Sequence, residues 1–288
     1  MIKLNSIVLG CARFSGVYGI NSKKNIKLNS IKKILKNNKK IRHIDTAINY
    51  KNANKKLEKI NLKKYKVSSK IPFYNLSKPL VEEKIYKDIS SHKSNLKINS
   101  FEILYLHAPK MILSKKRDKI IKILKTLKSE KITKKIGLSV YTPSELNSLL
   151  KIFTPDVVQV PLNIFDRRFL EKKLINKLYK KKIEIYFRSI FLQGILLKNF
   201  NDLPEYFKKW KKIFKKWEDW LKVKKLSRVE GSLSVLNLVS CKSNLIIGVE
   251  SNTQANEIIK SINSKHMPPF NLKYNKENLI NPSKWRVN

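Results

Sequence analysis

Two stretches, Val157-Val-Gln-Val-Pro-Leu162 and Leu245-Ile-Ile-Gly-Val249, decide how this chain folds. Each is apolar on consecutive rather than alternate positions. A strand can be so only when both of its faces are covered, as in a parallel sheet flanked by helices. Working outward, other short runs rich in β-branched and aromatic residues occur at Ile7–Ala12, His43–Ala47, Lys66–Ile71, Glu102–Ala108, Lys135–Tyr141 and Glu184–Ser189. With the two quoted runs, taken as Val157–Asn163 and Asn244–Val249, they make eight candidate strands. Between them lie helix-like segments, among them Ile31–Asn38, Leu80–Ser91, Asp118–Ser129, Pro143–Phe153 and Leu170–Lys181. Strand and helix alternate with a repeat of roughly thirty residues, the length of a βα unit with its crossover. Eight such units predict an α/β fold of the (β/α)8 TIM-barrel type, because doubly wound sheets usually stop at about five or six strands. No linker rich in Pro, Gly or Ser divides the chain, so residues 1–288 are expected to form one domain.

Two regions depart from the repeat. A helical insertion is expected at about 203–240, with pieces near Leu203–Lys224 and Val229–Val239. In the first piece Trp210, Phe214, Trp217 and Leu221 recur three or four apart, on one helix face. A basic helix of this kind can bind a membrane surface or nucleic acid, but the plainer expectation is an outer helix burying its aromatic stripe beneath solvated lysines. The loop at 265–288, with Phe270, Tyr274 and Trp285, is expected to wall a pocket.

The formal charge of +42 arises from 63 basic against 21 acidic residues. Only eight of the basic residues are arginine, the side chain whose planar fork suits phosphates and bases. The lysines are spread along the whole chain among many Ile and Asn, the composition an AT-rich genome writes onto permissive surfaces. A specific nucleic-acid function is therefore not expected, although polyanions should be attracted nonspecifically at low salt. With 42% hydrophobic residues there is ample material for a core, and no apolar run reaches the length of a membrane span. Val8-Leu-Gly-Cys11 superficially resembles a lipoprotein cleavage site, but too few residues precede the cysteine for a signal sequence. The two cysteines, Cys11 and Cys241, fit a reducing cytoplasm better than a disulfide framework. A monomer is the default expectation. The four histidines show no metal-ligand spacing, so no metal is expected.

Active sites of (β/α)8 barrels form at the carboxyl ends of the strands. The candidate strands end on polar residues: Asp45 with Tyr50 close behind, Lys70, His107, Ser139, Gln159 with Asn163, Arg188 with Ser189, and Gly248. Polar and titratable groups thus gather at the end where chemistry is done.

These same residues carry a resemblance. His43-Ile-Asp-Thr-Ala-Ile-Asn-Tyr50, Val67-Ser-Ser-Lys70 and Leu104-Tyr-Leu-His107 resemble the motifs of the aldo-keto reductase superfamily, which hold its catalytic Asp, Tyr, Lys and His. The likeness extends through Lys135–Tyr141, Gln159–Asn163, Phe187–Leu196 and Ile246–Ile259, nearly the whole barrel. It implies reduction of a carbonyl compound by hydride from a nicotinamide cofactor. In that chemistry Tyr50 is the general acid, Lys70 with Asp45 its electrostatic support, and His107 the donor that orients the carbonyl. Taken singly, Asp45 could cap a turn, Lys70 could be a surface lysine and His107 a core histidine; together they require several coincidences.

The superfamily uses no glycine-rich dinucleotide fingerprint, and none occurs here. The resemblance implies cofactor contacts at Gly10 and Cys11, at Ser139, Gln159 and Asn163 near the carboxamide, and along the pyrophosphate from Ser189 through Gly194 to Leu196. It implies further contacts at Gly248, Ser251, Gln254 and Glu257 by the adenosine end, although Ser251 also reads as an ordinary helix cap. Ser251 at a helix start in a lysine-rich setting favours NADP(H) over NAD(H), while the neighbouring Glu250 opposes a further phosphate. One departure concerns the end of strand seven, where many members offer an aromatic ring to the nicotinamide. Here that position is Arg188, with Phe191 the nearest substitute. A cofactor-binding barrel serving as a regulatory or interaction module is the alternative, against which the complete tetrad argues.

Overall fold

The apolar runs form eight strands, β1 (Leu4–Gly10), β2 (Ile41–Asp45), β3 (Lys66–Ile71), β4 (Phe101–Leu106), β5 (Thr133–Ser139), β6 (Val157–Pro161), β7 (Glu184–Arg188) and β8 (Ser243–Ile247). All pair in parallel and in chain order, and β8 closes on β1, so the sheet is a barrel. The structure is a computed structural model that describes residues 4–16, 19–20 and 25–286.

Alternation along β1, β4, β6, β7 and β8 splits their apolar side chains between two cores. On β4, Ile103 and Tyr105 join Val8, Val157, Tyr186 and Ile246 in the barrel interior. Leu104 and Leu106 of the same strand belong to the outer core shared with the helices. This is why the strand runs read as apolar throughout. Gly137 on β5 makes the room that Tyr105 fills, since a Cβ there would lie 2.2 Å from the tyrosine ring.

Helices α1 (Leu28–Asn37), α2 (Lys51–Leu57), α3 (Val81–Asn95), α4 (Arg117–Ser129), α5 (Pro143–Leu149) and α6 (Lys172–Lys180) follow β1 to β6. Most bury a stripe at helical spacing, as with Ile120, Ile123, Leu124 and Leu127 on α4. The least marked is α2, whose only buried apolar side chains are Ala53 and Leu57 and which the apolar pattern does not reveal. It is fixed instead by Asn54, whose side chain takes a hydrogen bond from Thr46 Oγ1 and donates to the carbonyls of Ala47 and Ile48.

Between β7 and β8 lie α7 (Lys211–Lys224) and α8 (Arg228–Leu233), and β8 leads into α9 (Asn252–Ser261) and α10 (Glu277–Ile280). Trp210, Phe214, Trp217 and Leu221 are all buried, so the plainer expectation for this helix describes it. They pack not on the barrel wall but in a second core with Ile164 and Phe165 after β6, Leu192 and Leu196 after β7, and Leu272 and Leu279 of the tail. This core braces the loops at the carboxyl end of the barrel. The tail is not a plain loop, since it contains α10 and short 3-10 turns. Tyr274 and Trp285 pack against the second core, while Phe270 is 81% exposed and walls nothing.

Several strands end one or two residues before the apolar runs do. Val140 and Leu162 lie past their strands yet remain buried, and their amides still bond to the next strand, Val140 to Gln159 O at 3.0 Å and Leu162 to Arg188 O at 2.9 Å. Burial and hydrogen bonding outlast the regular ladder there, and an apolar pattern reports burial.

Candidate active site

Parallel pairing brings the strand ends level. Gly10 lies opposite Asp45, Asp45 opposite Ser68, and Ser139 opposite Gln159. Above them opens a cavity of ≈ 520 Å³ lined by all four residues of the expected tetrad, Asp45, Tyr50, Lys70 and His107.

Asp45 and Lys70 form a buried ion pair, with side chains 6% and 4% exposed. Lys70 Nζ donates to Asp45 Oδ2 and, at 3.0 Å, to Thr46 O. The second carboxylate oxygen, Oδ1, accepts from Gln159 Nε2 at 3.1 Å. Both charges are thereby partnered, as burial requires. Tyr50 sits at the start of α2, its amide bonded to Ala47 O at 3.0 Å. Its ring stands edge-on to His107, with centroids 6.1 Å apart, and Lys70 Nζ lies 5.7 Å from the Tyr50 ring centroid. Burial and the Asp45 carboxylate push the Tyr50 hydroxyl above the ordinary tyrosine range, while the Arg188 cation pulls the other way. His107 is pushed down to about 4 by burial, with the Lys70 and Arg188 cations adding to the effect. Near neutrality the site therefore holds a protonated tyrosine and an uncharged imidazole.

Of the residues expected to contact a cofactor, Gly10, Ser139, Gln159, Ser189, Gly194, Gly248 and Gln254 line the cavity. Gln159 does more than expected, since its amide also holds Asp45. Five others lie off the lining, among them Leu196, which is buried in the second core. Cys11 is buried, its thiol pushed up chiefly by burial. Asn163 is buried and accepts the amides of Phe165 and Asp166 at 3.0 and 2.9 Å through Oδ1, while its Nδ2 has no hydrogen-bond partner among the described residues. Ser251 is exposed and caps α9 by accepting the Gln254 amide at 3.1 Å, and Glu257 is exposed on α9.

Sequence reasoning missed other lining residues, notably Arg13, Tyr141, Lys198 and Pro282. Arg13 pairs with Glu250 at 2.6 Å across 237 positions of sequence, a partnership no local pattern announces. Pro282 is the part of the tail that does wall the cavity. Arg188, at the end of β7, lines it too. The guanidinium lies 4.4 Å from the Tyr141 ring centroid and donates to Ser189 Oγ and Val140 O, each at 3.2 Å. The chain then turns through positive φ at Ser189, Leu192, Gln193 and Gly194, of which only Gly194 lacks a Cβ. Phe191, the sequence's substitute for the missing aromatic, also faces the cavity. Among the described residues no three His, Cys, Asp or Glu side chains cluster as metal ligands, and no helix is long and apolar enough to cross a membrane.

Fold and site together define a (β/α)8-barrel enzyme whose carboxyl-end cavity holds an Asp–Lys pair, a tyrosine and a histidine. The chain belongs to the aldo/keto reductase family, whose model matches residues 6–270. It is thus an NAD(P)H-dependent oxidoreductase acting on carbonyl compounds. Among curated proteins none matches the sequence significantly. Solved structures do match in fold. Glycerol dehydrogenase AKR11B4 from Gluconobacter oxydans superposes with a TM-score of 0.67 at 15% identity, over 89% of this chain and 86% of that one. The holo form of aldo-keto reductase AKR11C1 from Bacillus halodurans gives 0.66 at 16% identity, over 92% and 88%.

Proposed function

We propose that the protein reduces an aldehyde or ketone to an alcohol, with hydride from NADPH and a proton from Tyr50. The observation that carries this is the convergence of Asp45, Lys70, Tyr50 and His107 on one cavity. When bound, the nicotinamide cofactor supplies the hydride. The residues that would hold it are Gly10, Ser139, Gln159, Ser189, Gly194, Gly248 and Gln254, and the set fits such a group. Glycines leave the wall bare for a close approach, and a Cβ at Gly10 would already stand 3.0 Å from Ile246. Tyr50 then delivers its proton to the carbonyl oxygen, and Lys70, locked by Asp45, offsets the negative charge that develops. His107, uncharged, bonds the carbonyl oxygen and orients it. A positioned general acid contributes about 10²–10⁴-fold to rate. The test is consumption of NADPH and NADH by purified protein against a panel of aldehydes and ketones. Turnover of at least one is expected, and none despite bound cofactor would overturn the proposal.

The preference for NADPH rests on the positive field of a chain with net charge +42. Glu250 lines the cavity, but Arg13 meets its charge, so it does not cancel that field. Fluorescence titration should find NADPH bound more tightly than NADH. Glu250→Gln should widen the gap by removing the carboxylate that offsets Arg13; equal affinities in the parent would contradict the preference. The setting we propose is a monomer in the cytoplasm, in keeping with a sequence that has only two cysteines, with no specific nucleic-acid partner.

A further inference from the structure

The charged groups lining the cavity do not balance. Four are cations, Arg13, Lys70, Arg188 and Lys198, and two are carboxylates, Asp45 and Glu250. Both carboxylates are taken, Asp45 by Lys70 and Glu250 by Arg13. Arg188 forms no ion pair among the described residues, and its contacts are to neutral groups only: the Ser189 hydroxyl, the Val140 carbonyl and the Tyr141 ring. Its Nε is buried without a hydrogen-bond partner among the described residues. The carboxylate its charge reaches, Asp166, is already held by two hydrogen bonds from Arg168, so the partly buried guanidinium has no carboxylate of its own and would favour an arriving anion.

Position says which anion. Lys198 hangs on a flexible stem, whereas Arg188 is pinned by three contacts at the end of β7, so little side-chain freedom remains to be lost on binding. Its charge acts on both Tyr50 and His107, the two groups between which a carbonyl must sit. Two of its five N–H donors are spent within the protein, and the planar fork matches the oxygens of a carboxylate.

We propose that Arg188 binds a carboxylate carried by the substrate, so that the preferred substrates are short aldehyde acids or oxo acids rather than neutral carbonyl compounds. This rests on the carbonyl-reductase function proposed above. The other anion available to the cavity is a cofactor phosphate, and the experiment separates the two.

The test compares 4-oxobutanoate with butanal, an uncharged aldehyde of the same chain length, in the parent, Arg188→Gln and Arg188→Lys. The parent should favour 4-oxobutanoate in kcat/KM by roughly tenfold or more, the scale of one charge-assisted hydrogen bond. Arg188→Gln should lose roughly 10–100-fold more on 4-oxobutanoate than on butanal, the excess mostly in KM, beyond the loss both substrates share through Tyr50. Arg188→Lys, which keeps the charge but not the fork, should fall between. Equal treatment of the two aldehydes by the parent, or equal loss on both in Arg188→Gln, would overturn the proposal. So would weakened cofactor binding in Arg188→Gln with the preference for 4-oxobutanoate intact, which would assign the arginine to a phosphate. Calorimetric titration with succinate gives a readout free of turnover. If the parent reduces no carbonyl at all, the proposed function falls, and succinate then decides Arg188 alone. Binding lost in Arg188→Gln sustains the anion site, and no binding to the parent refutes it.

Discussion

Two demands meet at Tyr50. The hydroxyl must keep its proton until the carbonyl is in place, and burial with the Asp45 carboxylate does this by raising its pKa. It must then release the proton. The cation expected to help is Lys70, yet Lys70 spends its hydrogen bonds on Asp45 and Thr46, and Arg188 supplies the opposing pull on the hydroxyl. Lys70 still matters, because its charge lies 5.7 Å from the tyrosine ring and grows in value as negative charge develops. Lys70→Met should therefore lose most of the reduction rate, and adding Tyr50→Phe should make it scarcely worse, since both act on one proton-transfer step. His107→Gln, which keeps a donor, should lose less. Single-turnover rates of the four variants check this, and independent, additive losses would refute a shared step. Lys70→Met also leaves the Asp45 carboxylate buried without its partner, a cost of about 3–5 kcal/mol in stability, so thermal melts belong beside the rates.

Among the elements, α7 and α8 show packing overruling propensity. Gly231 in α8 leaves space for Leu221 and Trp217 of α7, and a Cβ there would lie 2.3 and 2.7 Å from them. In an open helix Gly→Ala gains about 1 kcal/mol, but forcing a methyl into a filled core costs about 1–3 kcal/mol. Gly231→Ala should lower the melting temperature, and a rise would show that the two helices pack more loosely than described. The same contrast explains what was legible beforehand. The strands and the stripe on α7 could be read because burial on both faces, or on one helix face, imprints a local pattern on the residues themselves. Asp45, Tyr50, Lys70 and His107 could be read because each stands at or just past a strand end. By contrast, α2 is held by Asn54 bonding to Thr46, Ala47 and Ile48, which leaves no periodic trace. Nor could Arg13 and Glu250 be paired from sequence, or Gln159 be assigned to Asp45, because those contacts exist only once the barrel closes.

For the whole molecule, charge and buried imidazoles set the response to solution conditions. His43, bonded to Ser68, and His92, bonded to Ser69, are both pushed down to about 4 by burial. An exposed imidazole titrates near about 6.5, so on acidification the unfolded chain takes up protons first. Stability is then full above about pH 6.5 and drains as pH falls toward about 4, by up to about 3 kcal/mol for each histidine. Melting temperatures should follow that course, and His92→Gln should flatten it; an unchanged slope would remove His92 from the cause. The net charge of +42 should make the protein bind DNA and RNA without regard to sequence, with affinity collapsing between about 50 and 200 mM salt in a filter-binding assay. Selective binding that survives physiological salt would contradict a purely compositional charge. The central claim is that this barrel reduces carbonyl compounds with Tyr50 as the acid, and the most direct measurement is single-turnover reduction by Tyr50→Phe with cofactor bound. Cofactor affinity should hold while the rate falls by at least the ~10²–10⁴-fold of a lost general acid. A Tyr50→Phe protein that binds cofactor and reduces a good substrate within about tenfold of the parent would contradict it.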